Sequence, residues 1–480
     1  MKLKEFNLGF SDAKNELLRT PEILINCFHD NNNILEKLLN GDKYMLLGTK
    51  GVGKSAYSAK IQLEAKNNSN IYVSSLELND FDFSLFFKTN VDSNFIGGKK
   101  FKEPWDFLLL HMIYKVIYYD MKITEVPEII EVINYLEKNG LNLKLKSKEI
   151  VKKLKSFKVG KGIELQFDLD NEKCEKFEYS TLIKNCIDKM LENLSYIHFN
   201  DKNLKILLDG LDDILRFKKD TIQILTSLIR STDYLNMNFL KNNIPIKIIL
   251  FIRQDIFSLL IDPDLNKIKR DWSEYLKWTD KIDDLKELVE LRLSSSDKLK
   301  KYDNYWDKIF PPLIKNKDSW EHIIEYTLIK PRDILQFLII CQNLFPEKKS
   351  LTFQEINIAL REYSSEYFID EMKNELSGFA DDKLIKELEQ VFQRIGDNKF
   401  NYNKFFTLLK ETNKKLDESI IKDILLRLFE SGYIGHLQEN SRNKKTSVLF
   451  KHRNPTIKID YKEYFIIHKG LHKALGIISN

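Results

Sequence analysis

The chain has 480 residues, enough for two to four domains that each bury a core without disulfide staples. Its 76 Lys and Arg against 71 Asp and Glu give a net charge of +5, which is too close to balance to indicate a nucleic-acid-binding protein by itself. The four cysteines lack the C-x-x-C spacing of a zinc site, and neither a signal peptide nor an apolar run of about 18 residues is present, so we expect a soluble cytoplasmic protein with no membrane partner.

The N-terminal stretch is predicted to be a helical lead-in to the first strand. Residues 1–40 form one or two helices in this prediction, with a turn at 30–33 and a short amphipathic segment at 34–39. This lead-in is a candidate cap for a nucleotide base.

A complete phosphate-binding pattern, G-x-x-x-x-G-K-[ST], begins at Gly48 and ends at Ser55. The apolar run at 44–47 predicts a buried strand before it, and residues 56–64, which lack Gly and Pro, predict a helix after it. Glycines let the loop backbone approach phosphate oxygens, Lys54 can bridge the terminal phosphates, and the Ser55 hydroxyl can bind Mg²⁺. The residues predicted to contact the nucleotide are Gly48, Lys50, Gly51, Val52, Gly53, Lys54, Ser55 and Ala56.

Between this loop and the next motif, the chain combines a predicted strand, a helix and an insertion. Residues 71–76 predict a second strand and 105–119 an apolar helix, whereas about 121–178 departs from a minimal nucleotide-binding core. Eight lysines crowd residues 144–161, and apolar and polar residues alternate over 163–170, so we predict a helix pair followed by a β-hairpin. The lysines could contact nucleic-acid phosphates, although a solvated face is the alternative that the lack of interleaved aromatics favours.

A second apolar strand, predicted at 204–208, leads into the acidic run 209–213. Ligands of parallel sheets bind at the carboxyl ends of the strands, so Asp209 is predicted to be the Walker B aspartate of an Mg²⁺ site. Asp212 or Asp213 could polarise the attacking water. The alternative is a surface acidic turn after a strand.

A further apolar strand is predicted at 246–252, after a helix at about 219–235, and this gives the strand–helix–strand order of a parallel sheet. The strand ends in Arg253, which is expected at the same sheet edge as Asp209. Arg253 is either a sensor of the γ-phosphate or the partner of a carboxylate such as Asp255, and the sequence leaves both alternatives open.

The chain from about 282 to 375 is predicted to be helical and to lack strand-like alternation. Within it, Pro331 suits the first turn of a helix and Asp333 suits its positive end. Arg332 could therefore reach a nucleotide from a lid, although an ordinary exposed arginine is the alternative.

Three helices followed by two β-runs predict a winged-helix domain. The helices are predicted at 384–395, 403–411 and 418–430, and the strands at 433–437 and 447–451. Residues 442–473 carry nine Lys and Arg against two acids. This wing could contact DNA phosphates, or it could pack against the protein's own ATPase core or a partner protein. The candidate contact residues in the polar loop between the strands are Arg442, Lys444 and Lys445.

Together these motifs resemble the STAND/AAA+-like branch of P-loop ATPases. The strand end at 209–213 looks like that of NACHT-type and related STAND ATPases. The segments 251–257, 264–268 and 330–333 look like the sensor-1 and sensor-2 regions of a bacterial family in this branch, members of which occur near mobile-element and phage-defence genes.

The resemblance implies roles for individual residues. It makes Lys54 and Ser55 the phosphate and Mg²⁺ contacts and Asp209 the metal-shell acid. It makes Asp212 or Asp213 the catalytic acid, and it assigns sensor 1 to Arg253 and sensor 2 to Arg332. Asp213 stands where many relatives carry Glu, and its shorter reach is expected to slow hydrolysis.

Absent motifs narrow the class further. The sequence has no N-K-x-D guanine signature, which favours ATP over GTP, and residues 376–378 lack the rest of an ABC signature. It also has no second catalytic domain with nuclease, protease or NAD-cleaving motifs, so an effector is expected to be a separate chain.

The expected fold is therefore α/β, a P-loop NTPase of AAA+/STAND-like type with a parallel sheet core. The expected divisions are a lead-in at 1–40, an ATPase core at 41–281 with the insertion at about 121–178, a helical lid at 282–380 and a winged-helix domain at 381–480.

The expected function is an Mg²⁺-dependent ATPase that acts as a nucleotide-controlled switch. A homo-oligomer is expected, because an arginine from a neighbouring subunit can stabilise the transition state, and Arg230 or Arg270 could serve. One alternative is an ATP-dependent DNA-binding protein of origin-binder type. Another is a scaffold that holds ATP without turnover.

Overall fold

A computed structural model describes most of the chain, which folds into two compact units. The described residues are 1–78, 81–89, 101–158, 179–210, 220–260, 262–297, 304–414, 416–439 and 446–477. The sheet unit comprises Asn33–Leu47 and Ile61–Tyr275. The lid unit comprises Met1–Asn32, Gly48–Lys60 and Leu276–Asn480.

A five-stranded sheet is the centre of the sheet unit. Its strands are β1 (Met45–Gly48), β2 (Ile71–Glu77), β3 (Asn203–Asp209), β4 (Ile246–Arg253) and β5 (Ser273–Tyr275). Their order is β2-β3-β4-β1-β5, and the pairs β2–β3, β3–β4 and β1–β5 are parallel. The apolar runs of β1, β3 and β4 are buried almost throughout, as in a parallel sheet covered on both faces. This strand order, with the phosphate-binding loop after β1, is that of the AAA+ P-loop NTPase fold, so the predicted fold class is confirmed.

Helices precede, connect and follow these strands. As far as β5 they are α1 (Ala13–Arg19), α2 (Pro21–Asn26), α3 (Ile34–Leu39), α4 (Lys54–Asn67), α5 (Phe83–Phe86), α6 (Lys102–Tyr119), α7 (Pro127–Lys138), α8 (Ser147–Lys158), α9 (Tyr179–Leu194), α10 (Asp220–Lys241), α11 (Gln254–Ser258) and α12 (Pro263–Trp272). Within the described residues, none of the protein's helices combines the length and the apolarity that crossing a bilayer requires.

Residues 1–40 hold the helices α1 and α2, and the amphipathic segment predicted at 34–39 is present as the helix α3. Pro21 opens α2 and thereby ends α1 at Arg19, because a proline disfavours helical dihedral angles in the residue before it. The predicted turn at 30–33 is present, with left-handed dihedral angles at Asn32 and Asn33.

Helix α6 lies in the core of the sheet unit. It is apolar around its circumference and most of its residues are buried, which is the pattern of a helix surrounded by protein. It packs against α9 and α10. The Tyr114 hydroxyl donates to Met190 O of α9 at 2.8 Å, and Trp105 Nε1 donates to Ile224 O of α10 at 3.0 Å.

The helix pair predicted for the insertion is present as α7 and α8. α7 packs against α9, and α8 packs against α5 and α6. Several lysines around α8 are exposed while Ile150 and Leu154 are buried, as on an amphipathic helix with a solvated face. The exposed lysines are Lys144, Lys146, Lys148 and Lys152. The β-hairpin predicted at 163–170 lies outside the described residues.

After β5 the lid unit is mainly helical. Its elements are α13 (Ile282–Ser294), α14 (Trp306–Ile309), β6 (Leu313–Ile314), β7 (Lys317–Asp318), α15 (Ser319–Ile324), α16 (Pro331–Leu344), α17 (Phe353–Glu362), a π-helical segment (Tyr363–Phe368) and α18 (Ile369–Leu376). The prediction that this stretch is helical is wrong in one detail, because β6 and β7 form a small antiparallel hairpin. Lys315 and Asn316 make its turn with φ of 52° and 62°, and two-residue strands are too short to show alternation.

The last part of the lid unit, which we call the C-terminal region, combines three helices with an antiparallel sheet. Its elements are α19 (Asp382–Ile395), β8 (Lys399–Phe400), α20 (Tyr402–Thr412), α21 (Glu418–Ser431), β9 (Ile434–Glu439), β10 (Thr446–Leu449) and β11 (Tyr464–Ile467). The sheet order is β10-β9-β11-β8. The three predicted helices and the two predicted strands are thus present, and β8 and β11 were not predicted.

Candidate nucleotide-binding site

The phosphate-binding loop follows β1 and leads directly into α4, which begins at Lys54. Gly51 and Gly53 have φ of +82° and +104°, where residues with a Cβ are strained. A Cβ on Gly48 would lie 2.7 Å from Val52 Cγ2 and 3.1 Å from Leu276 O. The loop therefore needs glycine at all three positions, which agrees with a backbone that brings its N–H groups close to a ligand.

Lys54 lies against the loop that precedes it. Its ammonium donates to Gly48 O and Thr49 O, both at 3.1 Å, and the residue is 7% exposed. On the loop's other side, the Trp278 indole donates to Val52 O at 2.9 Å. These bonds hold the backbone of the loop at Gly48, Thr49 and Val52, and the contact of Lys54 with a phosphate stays a prediction.

Arg332 lies at the same loop, within the lid unit. Its backbone N–H donates to Gly51 O at 3.5 Å, and a Cβ on Gly51 would be 3.5 Å from both Arg332 Cβ and Lys330 Cδ. Helix α16 begins beside Arg332, with Pro331 in its first turn, as predicted. The structure therefore brings one predicted lid residue against the predicted loop.

Asp333 fixes the start of α16. It is buried, and it accepts hydrogen bonds from Leu328 N at 2.8 Å and from the Tyr367 hydroxyl at 2.9 Å. Burial raises the pKa of Asp333 above its ordinary value. The start of α16, which carries Arg332, is thus anchored by a buried carboxyl group and by Tyr367 of the π-helical segment.

The N-terminal lead-in contacts the first turn of α4. Asn31 N donates to the Tyr57 hydroxyl at 3.0 Å, and that hydroxyl donates to Asp30 Oδ1 at 3.1 Å. Asn31 Nδ2 also donates to Lys277 O at 3.2 Å. This places residues 30 and 31 against the side chain of Tyr57, which lies one helical turn after Lys54, and the cap over a nucleotide base stays a prediction.

Asp209 and Arg253 end neighbouring parallel strands of the sheet unit, β3 and β4. Asp209 is 5% exposed, and its Oδ1 accepts a hydrogen bond from Gly210 N at 2.7 Å. Arg253 makes a two-bond ion pair with Asp255, at 3.0 Å from Nε and 2.8 Å from Nη2. The carboxylate pairing that the sequence left open is therefore present, and the sensor role remains a prediction.

Arg230 and Arg270, the two arginines that a neighbouring subunit could supply to the transition state, differ in exposure. The Arg230 side chain is 20% exposed and donates to both carboxylate oxygens of Asp262 and to Asp264. The hydrogen bond to Asp262 raises the pKa of Arg230. The Arg270 side chain is 76% exposed and makes one 3.2 Å bond to its neighbour Asp271. Five other predicted site residues lie outside the described residues, namely Asp212, Asp213, Arg442, Lys444 and Lys445.

The described side chains have donors of the kind that Mg²⁺ prefers. Ser55 supplies a hydroxyl oxygen at the start of α4, and Asp209 supplies a carboxylate that is buried at the end of a strand. Mg²⁺ takes oxygen ligands, usually one or two from protein together with phosphate oxygens and water. Each of the two side chains by itself offers a donor that suits this ion, and a shared Mg²⁺ site stays a prediction.

Three residues of the site were not predicted, namely Tyr57, Trp278 and Glu371. Trp278 binds the loop carbonyl of Val52 across 226 positions of sequence, and Glu371 binds Lys50 across more than 300. No local pattern marks them. A tryptophan close after the last core strand was the only signal for Trp278.

Comparisons with known proteins give one partial family match and several distant likenesses. Residues 283–370, from α13 into α18, match the family model "FunZ-associated C-terminal helical domain". The "Putative transposon gamma-delta 80.3 kDa protein" of Escherichia coli (strain K12) is 20% identical, over 98% of this chain and 67% of its own length.

Among solved structures, the Aeropyrum pernix ORC2 protein in ADPNP–ADP complexes has a TM-score of 0.39 at 10% identity, with coverage of 95% of this chain and 93% of its own. Cdc6p from Pyrobaculum aerophilum has a TM-score of 0.30 at 12% identity, covering 98% and 97%. Drosophila ORC bound to DNA has a TM-score of 0.29 at 11% identity, covering 93% and 94%. Scores this low transfer neither a partner nor a function to this chain.

Proposed function

We propose that the protein is an Mg²⁺-dependent ATPase that works as a nucleotide-controlled conformational switch. The observation that carries the proposal is the contact between the phosphate-binding loop and the lid within one compact unit, where Gly51 meets Arg332 and Lys54 lies against the same loop. A phosphate bound by the loop would be within reach of both cations, so binding ATP would tie the lid to the loop.

The roles of the remaining residues follow from their chemistry. Ser55 and Asp209 would hold Mg²⁺, which supplies positive charge to the phosphate oxygens when bound. Asp212 or Asp213 would orient and polarise the attacking water, and Arg253 would exchange Asp255 for the γ-phosphate. Asn31 and its neighbours would cover the adenine base.

The C-terminal region is packed on the lid in a way that supports a switch. The Ser364 hydroxyl of the π-helical segment donates to Gly470 O at 2.6 Å and accepts from Ala474 N at 3.0 Å. Phe368 stacks on His468 with ring centroids 5.3 Å apart. A lid that shifts on hydrolysis would therefore carry the C-terminal region, which we propose is a winged-helix domain at 381–480, after a lid at 282–380 and a core at 41–281.

The setting that we propose is a bacterial defence or DNA-associated assembly in the cytoplasm, with oligomers of this chain and a separate effector protein. The sequence resemblance to STAND-type ATPases near mobile-element and defence genes supports it, and so does the match to a transposon protein.

Substituting Lys54 tests the ATPase proposal directly. Lys54→Ala should abolish ATP binding, because the loop loses its phosphate-bridging cation, whereas Lys66→Ala, at an exposed position in the last turn of the same helix, should bind as the wild type does. The measurement is titration with a fluorescent ATP analogue, together with phosphate release. An unchanged affinity and turnover in Lys54→Ala would reject the proposal, and a wild type that binds ATP but releases no phosphate would favour the scaffold alternative.

A second candidate function is ATP-dependent DNA binding of the origin-binder type. It is favoured by the three helices and antiparallel strands of the C-terminal region, with three basic residues between β9 and β10 in the sequence. Changing Arg442, Lys444 and Lys445 to Ala should weaken DNA binding and flatten its dependence on salt by about 0.9 per lost phosphate contact. If affinity and salt slope both stay unchanged, this candidate fails.

A further inference from the structure

Glu371 links the phosphate-binding loop to the lid arginine. Its Oε2 lies 3.2 Å from Lys50 Nζ and 4.0 Å from Arg332 Nη1. The side chains of Lys50, Glu371 and Arg332 are 20%, 22% and 30% exposed, so the cluster is partly shielded from water but open to exchange of partners. One cation of the loop and one of the lid thus share one carboxylate.

The backbone holds this cluster close to the loop. Arg332 N donates to the backbone oxygen of Gly51, the residue after Lys50, and a Cβ added to Gly51 would lie 3.5 Å from Lys330 Cδ and from Arg332 Cβ. Carboxylate and phosphate oxygens offer the same kind of acceptor to lysine and arginine, and a terminal phosphate carries more charge. The same two cations can therefore bind either a carboxylate or a phosphate.

We infer that Glu371 is a built-in competitor for the terminal phosphate, whose carboxylate holds Lys50 and Arg332 until ATP displaces it. This inference rests on the proposed function, because it concerns the regulation of the same site. The exchange sets a threshold for ATP, since the phosphate must first take both cations from Glu371. ADP, which lacks the γ-phosphate, displaces Glu371 less completely.

Release of Glu371 would also affect the C-terminal region, because α18 carries Glu371 and contacts that region. Glu375 lies one helical turn further along α18, and it accepts from Arg427 of α21, with Nη2 to Oε2 at 3.5 Å and Nε to the backbone oxygen at 3.3 Å. The π-helical segment before α18 holds Tyr367 on Asp333 and Ser364 on Gly470. The competitor thus stands on the helix that connects the loop to the C-terminal region.

The test removes the charge of Glu371 and keeps its shape. Glu371→Gln should bind ATP about three- to tenfold more tightly, the range expected when two partly exposed ion pairs no longer compete, and the gain for ADP should be smaller. The matched control is Glu366→Gln, at an exposed position of the π-helical segment. The measurement is titration with fluorescent ATP and ADP analogues in the presence of Mg²⁺, with melting temperatures to compare folding.

A double-mutant cycle assigns the effect to the ion pairs. In the Lys50→Met background the gain from Glu371→Gln should shrink, because one of the two contested cations is gone. An equal gain in that background would overturn the inference, as would unchanged or weaker ATP binding by Glu371→Gln. Glu371→Asp, which keeps the charge and shortens its reach, provides a second variant if the glutamine form does not fold.

The two proposals fail in different ways. A wild-type protein that binds no nucleotide, or a Lys54→Ala variant that binds normally, would overturn both. A wild type that binds ATP through Lys54, with Glu371→Gln at wild-type affinity, would overturn the competitor role alone.

Discussion

Arg292 of α13 and Glu16 of α1 form a buried ion pair between distant parts of the sequence. Arg292 Nη2 donates to Glu16 Oε2 at 3.0 Å, and Nη1 donates to Oε1 and to Leu8 O. Their side chains are 7% and 2% exposed. Such a pair is costly to break, because either partner alone is a buried charge without compensation.

Arg292→Met should therefore lower the free energy of unfolding by about 3–5 kcal/mol, since the Glu16 carboxylate is left buried. Urea unfolding followed by circular dichroism measures the loss. The double variant Arg292→Met with Glu16→Leu should recover much of it, because both charges are removed together. A single variant as stable as the wild type would contradict a structural role for the pair.

Individual candidate site residues can be predicted from the sequence where a single local motif contains them. Gly48, Lys54 and Ser55 follow from one motif, and the geometry at Gly48 agrees with it. For Arg253 the sequence leaves two alternatives, because a guanidinium group can pair with a carboxylate two residues away as well as with a phosphate. Glu371 could not be predicted at all, since a glutamate in a helix is ordinary until the fold brings it to Lys50.

At the scale of elements, a short 3₁₀ helix, Lys469–Leu471, follows β11 and packs against the π-helical segment. His468 caps the 3₁₀ helix, with Nδ1 accepting from Gly470 N at 3.1 Å, and its ring lies 5.4 Å from that of His452. Burial lowers the pKa of both His468 and His452 well below the ordinary value. The folded protein therefore favours the neutral form of His468 and of His452.

We expect the burial of His468 and His452 to make the folded protein less stable in acid. Below about pH 6.5 the unfolded chain binds protons on these histidines and the folded chain does not, so the free energy of unfolding falls as pH falls, by up to about 1.4 kcal/mol per pH unit for each histidine. The loss is absent above that pH. Urea unfolding at pH 7.5 and pH 5.5 measures the difference.

His468→Asn separates this contribution from those of other groups, because an asparagine oxygen can still accept from Gly470 N but does not titrate. The variant should lose less stability between pH 7.5 and pH 5.5 than the wild type. His198→Asn, at an exposed position, is the control and should keep the wild-type difference. Equal acid sensitivity in His468→Asn and the wild type would contradict the role of burial at His468.

Helices and strands can be predicted from the sequence where apolar residues recur at a regular spacing over many positions. They are missed where contacts with distant residues determine the backbone conformation. The apolar runs of β3 and β4 and the amphipathic helices of the C-terminal region follow from pattern. The π-helical segment does not, because its backbone is fixed by bonds such as that of Ser364 to Gly470, more than 100 residues away. Pro21 marks the break between α1 and α2, which the prediction of one or two helices left open.

At the scale of the whole molecule, turnover should depend on a neighbouring copy if the proposed oligomer forms. Arg270 is the better candidate for an arginine finger, because its side chain is 76% exposed, whereas Arg230 makes bonds to Asp262 and Asp264. Arg270→Ala should lower turnover by about 10³-fold or more, with ATP affinity nearly unchanged. Phosphate release and nucleotide titration on the same preparation measure the two effects.

Mixing variants identifies an arginine supplied by another subunit. Lys54→Ala keeps Arg270 but lacks a working loop, and Arg270→Ala has the reverse defect, so a mixture should regain turnover that neither variant shows alone. Lys267→Ala, exposed on the same helix, is the control and should behave as the wild type. A mixture as inactive as its components would exclude Arg270 from this role.

The lid unit draws on chain segments that leave the ribosome at very different times. Leu3 N donates to Lys348 O at 2.7 Å, and Trp278 binds Val52 across 226 positions. Protein synthesis adds about 5–20 residues per second, so Trp278 is made roughly 10–45 s after Val52. Arg332 and Glu371 are made later still. The contact between loop and lid, on which the proposed switch depends, therefore forms only after Arg332 has been synthesised, and a shorter product carries the loop without that contact.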